Sequence, residues 1–260
     1  MLIRAGLVRE TALAGRLADV ARSLALDYFR RPLAVETKAD LSPVTAADRA
    51  IETEMRRLIR AEFPAHGIRG EEFAAQSGTG DTWVLDPIDG TKSFITGFPL
   101  FGTLIALVRG AEPVLGVIDS PAMRERWLGV RGAATEFNGQ PVHTSTCAHL
   151  RQARLYSTSP DAFTADDWQS FDRVSRSASL RRFGGDCYLY GLLASGHCDL
   201  VIEAGLKAHD YFALVPVIEG AGGRMTDWYG APLDWKSDGR VIAAASESLW
   251  AETVAALRSA

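Results

Sequence analysis

Cysteine is scarce in this chain and shows no pairing pattern: Cys147, Cys187 and Cys198 form an odd set without repeated spacing. That argues against a disulfide framework and fits a reducing cytosol. Long hydrophobic runs are missing too. The longest nearly apolar one, FPLFGTLIALV at 98–108, is too short to span a bilayer. MLIRAGLVRE at the start lacks the apolar core and small-residue cleavage site of a signal peptide, so cytoplasm is the expected location and no membrane partner is expected. Basic excess is absent: the formal net charge is −4, which leaves no footprint for a nucleic-acid partner. No repeat, low-complexity tract or flexible linker divides the chain. What is present is ordinary globular material. Of 260 residues, 47% are hydrophobic and 23% charged, enough apolar surface to offset chain entropy in one large domain or two closely packed halves.

RETALAGRLADVARSLALDYF (9–29) predicts an amphipathic helix with Leu13, Leu17, Val20, Leu24 and Tyr28 on one stripe. The polar loop ETKADLSPV leads to a second helix, TAADRAIETEMRRLIRAEF, and then to GEE at 70–72. Residues 102–130 read as a β-meander punctuated by Gly and Pro. A second half begins near residue 140, with a strand at RLYSTS, a helix over 162–177, and another near 186–195 feeding the strand DLVIEA. The helix HDYFALVPVIEGAGG should kink at Pro216. Short strands RMTDW and VIAAAS precede a terminal helix, ESLWAETVAALRS. Helices and strands interleave without a steady βαβ rhythm, so the fold class is α/β in the sense of layered helices and mixed sheets, not a doubly wound parallel sheet.

The segment WVLDPIDGTKSFITGFP (83–99) holds the chemistry. An apolar strand delivers Asp86 and Asp89 into a glycine turn, which is costly unless positive charge meets them. Lys92 lies beyond the turn; a hard divalent cation is the alternative, since Mg²⁺ takes carboxylate oxygens and substrate phosphate. Gly90 permits close backbone approach, and Thr91 starts a short helix whose free N–H groups suit an anion. Taken alone, Asp-Pro-x-Asp-Gly serves a plain turn equally well. Other acids have plain readings as well. Glu71 suits solvent, Asp48 completes a capping box with Thr45, and Asp210 favours a helix start. Glu203, ending DLVIE, repeats the pattern of Asp86.

With WVLDPIDGTKSF, DLVIEAGLKAHDYFALVPVIEGAGG, GEE and VTAAD in this order, nearly the whole chain resembles the inositol monophosphatase family of Mg²⁺-dependent phosphomonoesterases. The resemblance implies an αβαβα sandwich with mixed and antiparallel sheets. It implies one catalytic unit over 1–260, with 1–139 binding metal and phosphate and 140–260 setting substrate specificity. Glu71, Asp86 and the Ile88 carbonyl would hold one Mg²⁺; Asp86, Asp89 and Asp210 would hold a second. Asp48 and Thr91, with Glu71 among the catalytic groups, would position and deprotonate water near a looser third metal. The Gly90 and Thr91 amides would grip phosphate. The family usually dimerises, and the meander at 102–130 offers a surface for a homodimer.

Two departures bear on substrate. DGTKSF replaces the usual Thr-Asn after Gly-Thr, and KAHDYFAL lacks the Trp that commonly precedes the last metal-binding Asp. Both resemble the histidinol-phosphate phosphatase branch, in which Asp186 and Glu203 would face the leaving group beside Asp210. Two acids suit a cationic alcohol better than a polyol. Asp186 also reads as an N-cap after RFGG, Cys187 as a small buried residue, and His209 as pocket wall, substrate contact or packing. The expected function is hydrolysis of L-histidinol phosphate. Inositol 1-phosphate and 3′-phosphoadenosine 5′-phosphate are the alternatives, the latter requiring Arg181 and Arg182 at the pocket. A regulatory binding module is the reading from another class, disfavoured by the intact set of acids.

Overall fold

The first helix, α1 (Val8–Tyr28), buries Leu13, Ala14, Leu17, Ala18, Ala21 and Ala25. The expected stripe is therefore rotated: Val20, Leu24 and Tyr28 sit half-buried at its edge, because alanines give the closest approach to a neighbouring layer. The structure is a computed structural model that describes residues 6–32, 35–37 and 43–258. The polar loop of the sequence forms a small antiparallel pair, β1 (Val35–Thr37) with β2 (Pro43–Thr45); residues 38–42 of that loop, like residues 1–5, lie outside the described residues. Helix α2 (Ala46–Glu62) starts at the Thr45–Asp48 capping box and packs beside α1. Its buried face includes Asp48, Glu52 and Arg56 among the apolar residues.

The first sheet contains β3 (Gly67–Gly70), β4 (Thr82–Asp89), β5 (Gly102–Arg109), β6 (Glu112–Ser120), β7 (Glu125–Val130), β8 (Glu136–Phe137) and β9 (Gln140–Pro141), in that spatial order. Only the β3–β4 pair is parallel. A short helix, α3 (Thr91–Ile95), follows β4. The second sheet takes β10 (Arg154–Ser157), helix α4 (Ala165–Ser175), β11 (Leu180–Phe183), helix α5 (Tyr188–Ala194) and β12 (Leu200–Glu203) in sequence. Helices α6 (Ala208–Tyr211) and α7 (Leu214–Gly220), strands β13 (Arg224–Thr226) and β14 (Val241–Ala244), and helix α8 (Glu247–Arg258) complete the chain. The strand order is β11-β10-β12-β14-β13, with β10 parallel to both neighbours and the remaining pairs antiparallel.

Strand alternation assembles these elements into layers. Trp83, Leu85, Ile105 and Leu107 face α1 and α2, while Val84, Leu104, Ala106 and Val108 face α5 and α7. From the second sheet, Val201 and Ala243 join that same central layer. Leu200, Ile202 and Ile242 point outward to Phe171 of α4 and Leu249 of α8. The result is helix, sheet, helix, sheet, helix, an inositol monophosphatase-like αβαβα sandwich with mixed sheets, as expected. One expectation needs correction. The meander of β5, β6 and β7 is covered on both faces within the chain, so its faces cannot supply a dimer surface. The segment carrying Pro216 is broken rather than bent: α6 and α7 are separated at Phe212 and Ala213, where Pro216 has no N–H to offer the Phe212 carbonyl. No helix of the described residues is long and apolar enough to cross a membrane.

Candidate active site

Strand β4 does not stop at Asp86. It continues to Asp89 through a bulge, the pairing passing from Asp86 opposite Leu104 to Asp89 opposite Gly102. The extra residue is accommodated at Pro87, which has no ladder N–H to lose and whose carbonyl accepts from Thr103 Oγ1 at 2.8 Å. The Ile88 carbonyl leaves the ladder and accepts from Thr91 Oγ1 at 3.1 Å. Gly90 then turns the chain at φ +80° and caps α3. A side chain is excluded there, since a β-carbon would lie 2.8 Å from the Asp186 carboxyl carbon.

The acids converge on this bulge. Carboxylate oxygens of Asp86, Asp89 and Asp210 lie within 4.8 Å of one another. The Glu71 amide continues the pairing one step past β3, donating to the Leu85 carbonyl at 3.2 Å, which brings its carboxyl beside Asp86. A buried ion pair fixes this corner. Arg56 Nε meets Glu52 Oε1 at 2.7 Å, and Glu52 Oε2 accepts from the Glu72 amide at 2.8 Å. Asp48 Oδ2 accepts from the Thr45 amide at 2.8 Å and the Thr45 hydroxyl at 2.6 Å. Asp210 Oδ2 accepts from the Lys207 amide at 2.6 Å, and His209 Nε2 stands 3.5 Å from Asp210 Oδ1. His209 thus packs beside Asp210 and is not part of the cavity lining.

Burial pushes Asp86 well above the usual carboxylate range, and the neighbouring Glu71, Asp89 and Asp210 add to it. Burial does the same to Asp89, reinforced by Asp186 and Asp210. Asp48 and Asp210 are also raised chiefly by burial, against the hydrogen bonds they accept. Asp86 Oδ1 and Asp48 Oδ1 are buried with no hydrogen-bond partner. Among the described residues no lysine or arginine pairs with Asp86 or Asp89. Crowded, buried oxygens with orphaned lone pairs are what a hard divalent cation binds, so the donor set fits Mg²⁺.

A cavity of about 180 Å³ adjoins the cluster, lined by Asp89, Asp210, Asp186, Cys187, Tyr190 and Glu203 among others. Asp186 does not cap a helix, contrary to one reading of its sequence. Helix α5 begins two residues later with Cys187 as its N-cap, and Asp186 sits in the left-handed region at φ +47° after Gly184 and Gly185. Its Oδ2 accepts from Ser93 Oγ at 2.8 Å. Glu203 accepts from the Thr158 amide at 2.8 Å and the Tyr190 hydroxyl at 2.7 Å, and burial raises its pKa. The Cys187 amide donates to Asp89 Oδ2 at 2.6 Å. Burial pushes its thiol well up, so a protonated, buried sulfur is no nucleophile. The structure therefore brings Glu71, Asp86, Ile88, Asp89, Gly90, Thr91, Asp186, Glu203 and Asp210 around one bulge and cavity, with Asp48 alongside through Glu71. Sequence reasoning missed Ser93, Tyr190 and the Glu52–Arg56 pair. Ser93 had a signal, the departure at DGTKSF; Tyr190 had none.

Comparison with known proteins supplies the context. The model of the inositol monophosphatase family matches residues 8–260. The bifunctional phosphatase IMPL2, chloroplastic, of Arabidopsis thaliana is 47% identical over 238 residues, covering 90% of this chain and 69% of that protein. The histidinol-phosphatase of Chlorobaculum parvum is 39% identical over 248 residues, covering 94% of this chain and 95% of its own. Among solved structures, an inositol monophosphatase from Zymomonas mobilis superposes with a TM-score of 0.89 at 48% identity, over 96% of this chain and 98% of the other.

Proposed function

The chain belongs to the inositol monophosphatase family, a family of phosphatases generally dependent on Mg²⁺, and from that premise we propose that its substrate is L-histidinol phosphate. The reading rests on one observation. Asp186 and Glu203 line the same cavity as Asp89 and Asp210, and in this reading they face the leaving alcohol. Histidinol carries an ammonium and an imidazole, which suit two carboxylates; a neutral polyol would leave Glu203 without a counter-charge and Asp186 with that of Lys92 alone. The similarity to the histidinol-phosphatase of Chlorobaculum parvum supports it.

Glu71, Asp86 and the Ile88 carbonyl would hold one Mg²⁺, and Asp86, Asp89 and Asp210 a second, with a looser third near Asp48 and Thr91. When bound, the cations acidify water and neutralise charge on the attacking and leaving oxygens of an in-line displacement. The amides of Gly90 and Thr91 orient the phosphate. Asp48, one oxygen tied to Thr45 and the other without a partner, accepts a proton from the attacking water, with Glu71 and Thr91 fixing its approach. Asp186 and Glu203 hold the ammonium of the departing alcohol. Residues 1–139 thus serve metal and phosphate and 140–260 the leaving group, with Asp210 crossing from the second half to the first. A cytoplasmic homodimer completes the proposal.

The inositol phosphate reading draws support from the 48% identity to the Zymomonas mobilis protein. A phosphoadenosine nucleotide has less: Arg181 is tied to Asp172 at 2.6 Å and, like Arg182, is absent from the cavity lining. Phosphate release tests the proposal. L-Histidinol phosphate with Mg²⁺ should be turned over and chelation should stop it. A preparation that hydrolyses another phosphomonoester but leaves histidinol phosphate untouched would refute the assignment.

A further inference from the structure

Asp186 has little holding it in place from its own segment. It follows two glycines in positive φ, at 95° and 128°, and is itself at 47°. It caps no helix. Its carboxylate is instead gripped from α3, ninety-three residues earlier in the chain. The bare backbone of Gly90 lies against its β-carbon and carboxyl carbon, and Ser93 Oγ donates to Oδ2 at 2.8 Å. Its other oxygen, Oδ1, has no hydrogen-bond partner among the described residues, and the residue lines the cavity. Lys92, exposed on the same short helix, is the competing attraction, since its charge acts on the Asp186 carboxylate.

We propose that Ser93 is a positioning residue for substrate choice: its hydroxyl fixes the Asp186 carboxylate so that the free oxygen faces a cationic leaving group. This deepens the histidinol-phosphate reading and rests on it. A carboxylate with one oxygen tied has a defined direction for the other, so the ordering cost is met before substrate arrives. Without the hydroxyl, Asp186 is free to swing toward Lys92, and the cavity loses its directed acid. Ser93 lies on the same short helix as Thr91, whose amide the proposed function assigns to phosphate, so one element would order both ends of the substrate.

The test uses the full chain with Mg²⁺ and two variants, Ser93→Ala and Ser93→Thr, on L-histidinol phosphate and on glycerol 2-phosphate, whose leaving alcohol is uncharged. Ser93→Ala should raise KM for histidinol phosphate about tenfold, the order lost with one hydrogen bond to a charged group, with kcat within about twofold. It should leave glycerol 2-phosphate turnover, inhibition by inorganic phosphate and the melting temperature unchanged. Ser93→Thr, which keeps the hydroxyl, should restore the wild-type KM. Equal losses on both substrates, or no change on either, would overturn the role of Ser93 while wild type still prefers histidinol phosphate. A wild type without that preference would overturn the functional reading, and the role of Ser93 with it.

Discussion

A buried carboxylate oxygen without a donor costs roughly 1–3 kcal/mol, and this site holds two of them, on Asp48 and Asp86. Such a cost persists where a ligand offsets it. Asp86→Asn should therefore act in opposite directions on activity and on metal-free stability. We expect kcat/KM to fall by at least about 10³-fold, roughly 4 kcal/mol of lost transition-state stabilisation. In chelator at pH 8 the same variant should melt higher than wild type, because one of the mutually repelling carboxylates is gone. Paired phosphate-release and thermal-melt measurements check both. At this scale the acids were legible in the sequence, because Asp86 and Glu203 each follow an apolar run within their strands, where a charge has no ordinary reason to be. Asp186 was legible as an acid but not in its conformation, since a helix cap and a left-handed turn are both compatible with Gly-Gly-Asp. The partner Tyr190 was not legible, and Ser93 was marked only by the departure at DGTKSF: long-range hydrogen bonds leave no local periodicity.

Between elements, the placement of Asp210 depends on how closely α6 and α7 approach the first sheet. Two glycines make that approach possible. A β-carbon on Gly116 would fall 2.0 Å from the Ala213 carbonyl oxygen, and one on Gly129 would fall 2.4 Å from the Pro216 carbonyl. Both obstacles are backbone, which cannot swing aside. Gly129→Ala should destabilise the fold by about 1–3 kcal/mol, lowering the melting temperature by roughly 2–4 °C for each kcal/mol. It should also raise the Mg²⁺ concentration for half-maximal activity, because α6 carries Asp210 away from Asp86 and Asp89. A variant with wild-type melting and Mg²⁺ dependence would show that the contact is not needed. The longer elements were mostly readable from periodicity, but the short strands β1, β2, β3, β8 and β9 were not, and neither were two further features. The buried stripe of α1 runs through alanines, whose small size gives a weak hydrophobic signal for the strongest packing. β11 is a short edge strand of mostly exposed residues, Leu180–Phe183, and carries no alternation to detect.

Across the whole molecule, the active site gathers acids from both halves of a chain already net acidic at −4. The carboxyls of Asp48, Asp86, Asp89 and Asp210 all have raised pKa values, first through burial. A raised acid binds its proton more tightly folded than unfolded. The stability it contributes is present below the ordinary carboxylate pKa and lost as pH climbs through the raised value. In the proposed site Mg²⁺ would take the place of those protons. The melting temperature with Mg²⁺ minus that with chelator should therefore widen between about pH 5 and pH 8, as read by thermal melts; a gap that narrows with pH would contradict the cation site. The most direct test of the central claim is kcat/KM for phosphate release with Mg²⁺ from L-histidinol phosphate, myo-inositol 1-phosphate and 3′-phosphoadenosine 5′-phosphate. A preference for histidinol phosphate of about a hundredfold, roughly 2.7 kcal/mol of discrimination, is the expected result. Comparable rates on all three, or a preference for either of the others, would contradict the account.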